Sequence, residues 1–353
     1  MAYGTTGYGM MDELIGATIG HYRITQSLGQ GGMAAVYKAY QENLDREVAI
    51  KILPEHYSHN ANFVARFKLE ARALARLNHP NIVTVHDAGE FQRRLYIVMA
   101  YIPGGTLRER LDRPLPVTRV VEITRAVAAA LGYAHERNII HRDVKPANVL
   151  MDLDGRPVLS DFGIAKVVAE ETGEQLTSTG TGIGTPEYMA PEQCRGLPVD
   201  SRSDIYALGV MAYEMFTGRT PFQGAPFTAV IYAQIHEPPP PPSHFNPQIP
   251  PAVDAVILQA LAKDPDQRFQ RATDFADALE RACAISRSGP VARALVLLIC
   301  PYCRAGNPAI NKFCARCGML LGGASTVTVA QCVCGVLNPA GQMFCKGCGR
   351  RLL

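Results

Sequence analysis

Short apolar and β-branched runs separated by polar turns open the chain. Tyr22 to Leu28, Ala35 to Tyr40 and Glu47 to Leu53 read as strands. Residues Asn60 to Leu77 change period, with Phe63, Phe67, Leu74 and Leu77 along one side of a helix. Ile82 to Asp87 and Arg94 to Tyr101 return to strand character. Beyond residue 115 helical spacing dominates. Thr118 to Glu136 places Val120, Ile123, Val127 and Leu131 on one face. Asp204 to Phe216 is apolar nearly all round, the mark of a buried helix. Ala252 to Ala262 and Ala272 to Ala284 read as amphipathic surface helices. The pattern predicts an α+β protein of two lobes, strand-rich then helical. Pro238 to Pro242 reads as an extended surface connector rather than a docking ligand.

At 353 residues the chain is long enough for one large core or two domains. Its net charge of +3 is too small to argue for bulk binding to nucleic acid or membrane. No run approaches the roughly 18 apolar residues of a bilayer span. The longest candidate, Ala294 to Ile299, reads as a strand or core edge. Residues 1–11 show no basic segment followed by an apolar run, so a cytoplasmic protein is expected. Eight of the ten cysteines fall at or after position 300. Without an export signal, such clustering points to metal rather than disulfides.

Leu28-Gly29-Gln30-Gly31-Gly32-Met33-Ala34-Ala35-Val36 lies between two candidate strands. Glycines there let backbone N–H groups close over a polyanion. Alone, the loop could be an ordinary hairpin. The later residues change that reading: Lys51 on the next strand, Glu70 mid-helix where it could hold that lysine, then His141-Arg142-Asp143-Val144-Lys145-Pro146-Ala147-Asn148, then Asp161-Phe162-Gly163, then Ala190-Pro191-Glu192. Phosphoryl transfer needs a lysine on phosphate oxygens, two oxygen ligands for Mg²⁺ (or Mn²⁺) and a carboxylate that takes the attacking hydroxyl's proton. Lys51, Asn148 with Asp161, and Asp143 supply them.

Over Tyr22 to Ala284 the sequence resembles the protein-kinase superfamily. Gly31-Gly32-Met33-Ala34, Leu77-Asn78-His79-Pro80-Asn81-Ile82-Val83 and Ala190-Pro191-Glu192-Gln193 look like the bacterial, eukaryotic-like serine/threonine kinases. The resemblance implies ATP as donor, a protein hydroxyl as acceptor, and a bilobal fold. It makes Lys145 a neutraliser of charge on the transferring phosphate. It makes Met99 the gatekeeper, with Ala100, Tyr101 and Ile102 as the hinge that bonds adenine. Asp204, Glu192 and Arg268 become scaffold. Two departures stand out: Ala34 replaces the third loop glycine, and Ala100 replaces a common hinge acid. A methyl is tolerated where φ is negative and the hinge works through its backbone, so ATP binding is expected to survive both. A catalytically silent scaffold is disfavoured by the intact Lys51, Asp143, Asn148 and Asp161. A small-molecule kinase is disfavoured by Thr185-Pro186-Glu187-Tyr188, which resembles a protein-substrate platform with Thr185 near the acceptor hydroxyl. The hydroxyl-rich stretch 177–185 resembles a phosphorylated activation loop opposite Arg142, with Thr177 and Thr179 as acceptors.

The tail repeats itself. Cys300-Pro301-Tyr302-Cys303 and Cys314-Ala315-Arg316-Cys317 form one unit; Cys332-Val333-Cys334 and Cys345-Lys346-Gly347-Cys348 form another, 31 residues on, with Asn307-Pro308-Ala309 matching Asn338-Pro339-Ala340. Four thiolates suit one tetrahedral Zn²⁺. The tail resembles a double zinc ribbon with two structural zinc ions, the second unit being less well specified because its first knuckle is shortened. Arg316, Lys346, Arg350 and Arg351 admit nucleic acid, but aromatic residues do not interleave them, so docking of a protein partner is expected. The boundaries read as an N-terminal extension over 1–21, a kinase domain over 22–284, a linker over 285–299 and the ribbons over 300–353.

Overall fold

The computed structural model describes residues 14–31, 34–163, 185–288, 292–332, 335–347 and 352. Two compact units divide the chain, residues 1–280 and 281–353.

In the first unit, strands β1 (Thr18–Ile19), β2 (Tyr22–Gly31), β3 (Ala34–Gln41), β4 (Arg46–Ile52), β5 (Val85–Phe91) and β6 (Arg94–Ala100) form one sheet in the order β1-β2-β3-β4-β6-β5. Alternation along β2 to β4 puts Ile24, Tyr37, Ala39, Val48 and Ile50 into one core. That register sets Lys51 opposite Val36 on one side and Ile97 on the other. Helix α1 (Ala61–Ala75) starts where the Asn60 side chain accepts the backbone N–H groups of Asn62 and Phe63. It buries Phe63, Phe67 and Leu74, the face expected from their spacing. Two boundaries differ from expectation. β1 draws residues 18–19 of the expected N-terminal extension into the sheet, with Ile19 in the core. Strand β5 starts at Val85 rather than Ile82, because the Val83 N–H and the Asn81 carbonyl bond Leu159 of the helical lobe instead.

The helical lobe is built on α2 (Val117–His135) and α4 (Ser201–Thr217), with α3 (Pro191–Cys194), α5 (Phe227–His236), α6 (Pro251–Ala260) and α7 (Ala272–Ser288) around them. Helix α4 is buried from Ser203 to Phe216, as its apolar circumference predicts. Its Gly209 allows close approach: a Cβ there would lie 2.9 Å from Ala260 Cβ. Strands β7 (Val149–Met151) and β8 (Pro157–Leu159) form a separate two-stranded antiparallel sheet. Glu192 and Arg268 form the expected buried pair, two bonds of 2.8 Å. Burial opposes the Glu192 charge, yet Arg268 and Ser203 outweigh it and hold the carboxyl below its usual range.

The stretch 285–299 is not a plain linker. Helix α7 continues to Ser288 and residues 292–299 form β9. In the second unit β9 (Ala292–Ile299), β10 (Gly306–Pro308), β11 (Ser325–Cys332) and β12 (Leu337–Pro339) form an antiparallel sheet ordered β10-β9-β11-β12. Ala292 pairs with Cys332 and Ile299 with Ser325, so the two cysteine units sit at opposite ends of this ribbon. Among the described residues no helix is long and apolar enough to cross a membrane.

Candidate active site and cysteine centre

The β2–β3 hairpin pairs Gly29 with Val36 and Gly31 with Ala34. A Cβ on Gly29 would meet nothing within 4 Å, so packing inside the protein does not require glycine there. Space above the hairpin backbone is what a phosphate cradle needs. Ala34 opens strand β3, extended backbone on which a methyl is ordinary. Leu28 is exposed beside the loop, and Ala35 and Val36 continue into β3. Gly32 and Met33 lie outside the described residues. Met99 is buried on β6, and Tyr101 and Ile102 follow the strand outside any ladder.

The Lys51 ammonium lies 2.8 Å from Asp161 Oδ1. This brings together two groups 110 residues apart. The pair expected between Lys51 and Glu70 is not formed: Glu70 is half-buried on α1, and no hydrogen bond or ion pair joins it to Lys51 among the described residues. The lysine takes the nearer carboxylate.

Asp204 organises the stretch from His141 to Asn148 from inside. Its carboxylate accepts the backbone N–H groups of His141 and Arg142 and the ring of His135, each at 2.8 Å. Residues Arg142 and Asp161 sit at φ +65° and +56°, left-handed backbone that the surrounding bonds must hold. His141 is fully buried. Its Nε2 donates to the Ser160 carbonyl at 2.8 Å, which leaves Nδ1 to accept the Asp143 N–H at 3.2 Å. That division fixes the neutral tautomer, and burial lowers the His141 pKa accordingly. Asp143 Oδ2 receives the Lys145 ammonium at 2.9 Å and the Asn148 amide at 2.8 Å. A second Asn148 bond reaches the Asp143 carbonyl. With its nitrogen so engaged, Asn148 offers Oδ1 as a ligand atom. Together with Asp161 it provides the oxygen donors a hard divalent cation takes.

Thr185 is exposed and lines a cleft of about 300 Å³ with Lys145, Ala147, Glu187 and Tyr188. Tyr188 forms one wall through Arg108 and Glu214, which hold each other at 2.8 and 2.9 Å and both bond its hydroxyl. Burial and the Glu214 charge keep that phenol protonated far above its ordinary range. Sequence reading missed this trio, whose members are separated by 26 to 106 residues. Thr177 and Thr179 lie outside the described residues.

In the tail, the Sγ atoms of Cys300, Cys303, Cys314 and Cys317 all lie within 4.8 Å of one another. Cys300 to Cys317 is 3.7 Å and Cys303 to Cys314 is 3.5 Å. Sulfurs around one tetrahedral zinc stand about 3.8 Å apart, given Zn–S bonds of about 2.3 Å. The donor set fits that ion. Burial opposes the Cys314 thiolate, but the N–H groups of Cys317 and Arg316 and the Cys303 and Asn307 side chains bring its pKa down to about 6. Asn307, buried, directs its amide at Cys314 Sγ and accepts the Ala315 N–H at 2.8 Å. Asn338 repeats this toward Cys345 Sγ and the Lys346 N–H. Cys332 and Cys345 are both buried, while Cys334 and Cys348 lie outside the described residues. The repeated Asn-Pro-Ala was visible in the sequence; its role as the outer hydrogen bond to sulfur was not.

The protein kinase domain family matches residues 22–280, and the chain belongs to it. The curated relatives it resembles are bacterial serine/threonine-protein kinases. A probable serine/threonine-protein kinase of Streptomyces coelicolor is 45% identical over 262 residues, 72% of this chain and 39% of its own length. Serine/threonine-protein kinase PrkC of Bacillus subtilis is 41% identical over 265 residues, 74% of this chain and 40% of its own. The chain thus spans about two fifths of the length of these curated relatives. The crystal structure of the Mycobacterium tuberculosis PknI kinase domain matches with a TM-score of 0.62 at 35% identity, covering 76% of this chain and 98% of that one.

Proposed function

We propose that this protein transfers the γ-phosphoryl group of ATP to serine or threonine hydroxyls of proteins. The observation that carries the reading is the Asp143 carboxylate, held between Lys145 and Asn148, with Lys51 and Asp161 paired nearby. Asp143 orients the acceptor hydroxyl and takes its proton. Lys145 offsets charge on the group in transfer, and Lys51 clamps nonbridging phosphate oxygens once it leaves Asp161. Asn148 and Asp161 would hold Mg²⁺ or Mn²⁺, which when bound neutralises charge on the phosphates. Glu70 would become the partner of Lys51 if α1 approaches β4. The loop from Leu28 to Val36 covers the phosphates, Met99, Tyr101 and Ile102 border the adenine, and Thr185 sets the acceptor against Lys145. Thr177 and Thr179 are the proposed acceptors of autophosphorylation. The cysteine units hold two structural zinc ions: Cys300, Cys303, Cys314 and Cys317, and Cys332, Cys334, Cys345 and Cys348. We place the protein in the cytoplasm, with the ribbons as its docking module.

Incubation with Mg²⁺ and labelled ATP, followed by phosphosite mapping, tests the reading. Label should enter an added protein substrate and the stretch 176–181. No incorporation into any protein would refute the activity, and full activity in a Thr177→Ala/Thr179→Ala variant would remove the regulatory role of the loop.

A further inference from the structure

The charge of the chain is unevenly placed. Residues 281–353 contain nine Lys and Arg and no Asp or Glu, leaving 26 cations against 32 carboxylates, a net −6, for residues 1–280. Two zinc tetrathiolates, each −2, would still leave the tail near +5. Among the described residues, ten of the eighteen exposed large apolar side chains also lie in this tail, although it is about a fifth of the chain. A small cysteine-held fold has few places to hide such residues, but their positions are not scattered.

Backbone bonds strap two loops together at each cysteine unit. The Leu321 N–H donates to the Lys312 carbonyl at 2.9 Å, and Phe313 bridges Leu320. This gathers Ile310 (90% exposed), Phe313 (59%) and Leu320 at one tip, beside the exposed Lys312 and Arg316. The other unit repeats the strap: the Leu352 N–H donates to the Met343 carbonyl at 2.8 Å, and Met343 and Phe344 stand exposed next to Lys346. Each tip therefore pairs water-exposed apolar side chains with cations that have no carboxylate within their own unit.

We infer that this tail docks on an anionic lipid surface, inserting the Ile310–Phe313 and Met343–Phe344 tips among the headgroups while the cations face lipid phosphate. Apolar insertion combined with cationic attraction is the pairing that gives stable peripheral attachment. Single-stranded nucleic acid fits less well: Phe313 and Phe344 each offer a π-face to a base, but Ile310, Leu320 and Met343 do not, so most of the exposed apolar groups at the tips suit acyl chains better than bases. A second copy of the tail fits less well too, since it would bring only cations to face cations. The inference rests on the folded tail and does not depend on phosphoryl transfer.

Flotation of the full-length, zinc-loaded chain with vesicles tests it. The chain should float with vesicles of phosphatidylcholine mixed with phosphatidylglycerol, stay behind with phosphatidylcholine alone, and release as salt rises. Lys312→Gln and Lys346→Gln should each weaken partitioning roughly fivefold. Ile310→Asp/Phe313→Asp should abolish it while elemental analysis still finds the metal of the parent protein. Loss of metal in that variant would shift the test to the two lysine variants, which alter no apolar contact. Equal flotation with neutral vesicles, no flotation with either, or binding only to a single-stranded oligonucleotide or an acidic polypeptide would overturn the inference.

Discussion

Replacing Asp143 by asparagine keeps the size of the side chain and removes the proposed proton acceptor. Asp143→Asn should slow phosphoryl transfer by roughly 10²–10⁴-fold while nucleotide affinity, measured by calorimetry, stays nearly unchanged. Equal losses in both would mean that the residue holds nucleotide instead. His141 makes a different, pH-linked contribution. Its native pKa is lowered by burial, so below about pH 6.5 the unfolded chain takes up a proton that the native state refuses. Stability is therefore full above that value and falls as pH drops through it, until the native imidazole titrates as well. Thermal melts between pH 8 and 5 should show this slope, and His141→Gln should flatten it. Residues such as Asp143, Asn148 and Asp161 could be read from the sequence because local motifs carry them. The present partner of Lys51 could not, since it depends on where α1 settles relative to β4, and no local pattern encodes that distance.

Helix α4 was recognisable as buried because apolar residues surround it, and α1 and α2 because one face of each repeats. Their ends and neighbours were less accessible. The apparent strand from Ile82 splits because its first residues find hydrogen-bond partners on β8, a tertiary choice that propensity does not contain. Likewise, the reason for Gly209 lies on another helix. Gly209→Ala would gain up to about 1 kcal/mol of helix propensity. It would also force α4 away from Ala260 and Leu261, and overpacking costs about 1–3 kcal/mol. We expect a net loss, seen as a lower midpoint in denaturant with the slope retained. A stabilised variant would show that α6 can slide without cost.

The two units carry separate cores, and they should fail separately. The first unit buries aromatic and aliphatic side chains in the sheet and in the helical lobe, whereas the clusters of the second are built around cysteine: Cys300, Cys314 and Leu321 in one, Cys332, Cys345 and Leu352 in the other. On the proposed zinc reading, so small a module draws much of its folding energy from metal. A strong chelator should unfold residues after about 281, read as new protease cuts there, while nucleotide binding and turnover persist. Loss of both together would mean that the kinase unit needs the tail to fold. The cysteine spacing made this division visible in the sequence. It did not place the boundary, because the helix running past residue 285 and the strand after it look in isolation like connector.

The sheet order of the tail couples its two cysteine units. Each cysteine unit owns one long strand, and those strands, β9 and β11, are each other's principal neighbours over eight paired positions. Neither half has a sheet of its own beyond a strand and a three-residue edge, which is too little to persist in water. With zinc in both units as proposed, filling one site orders the ribbon that the other needs, a positive linkage between sites that share no ligand. Zinc titrated into metal-free protein should bind with a Hill slope above 1, and Val296→Pro in the shared ribbon should lower affinity at both ends. Two independent isotherms would mean that each duplicated half folds by itself.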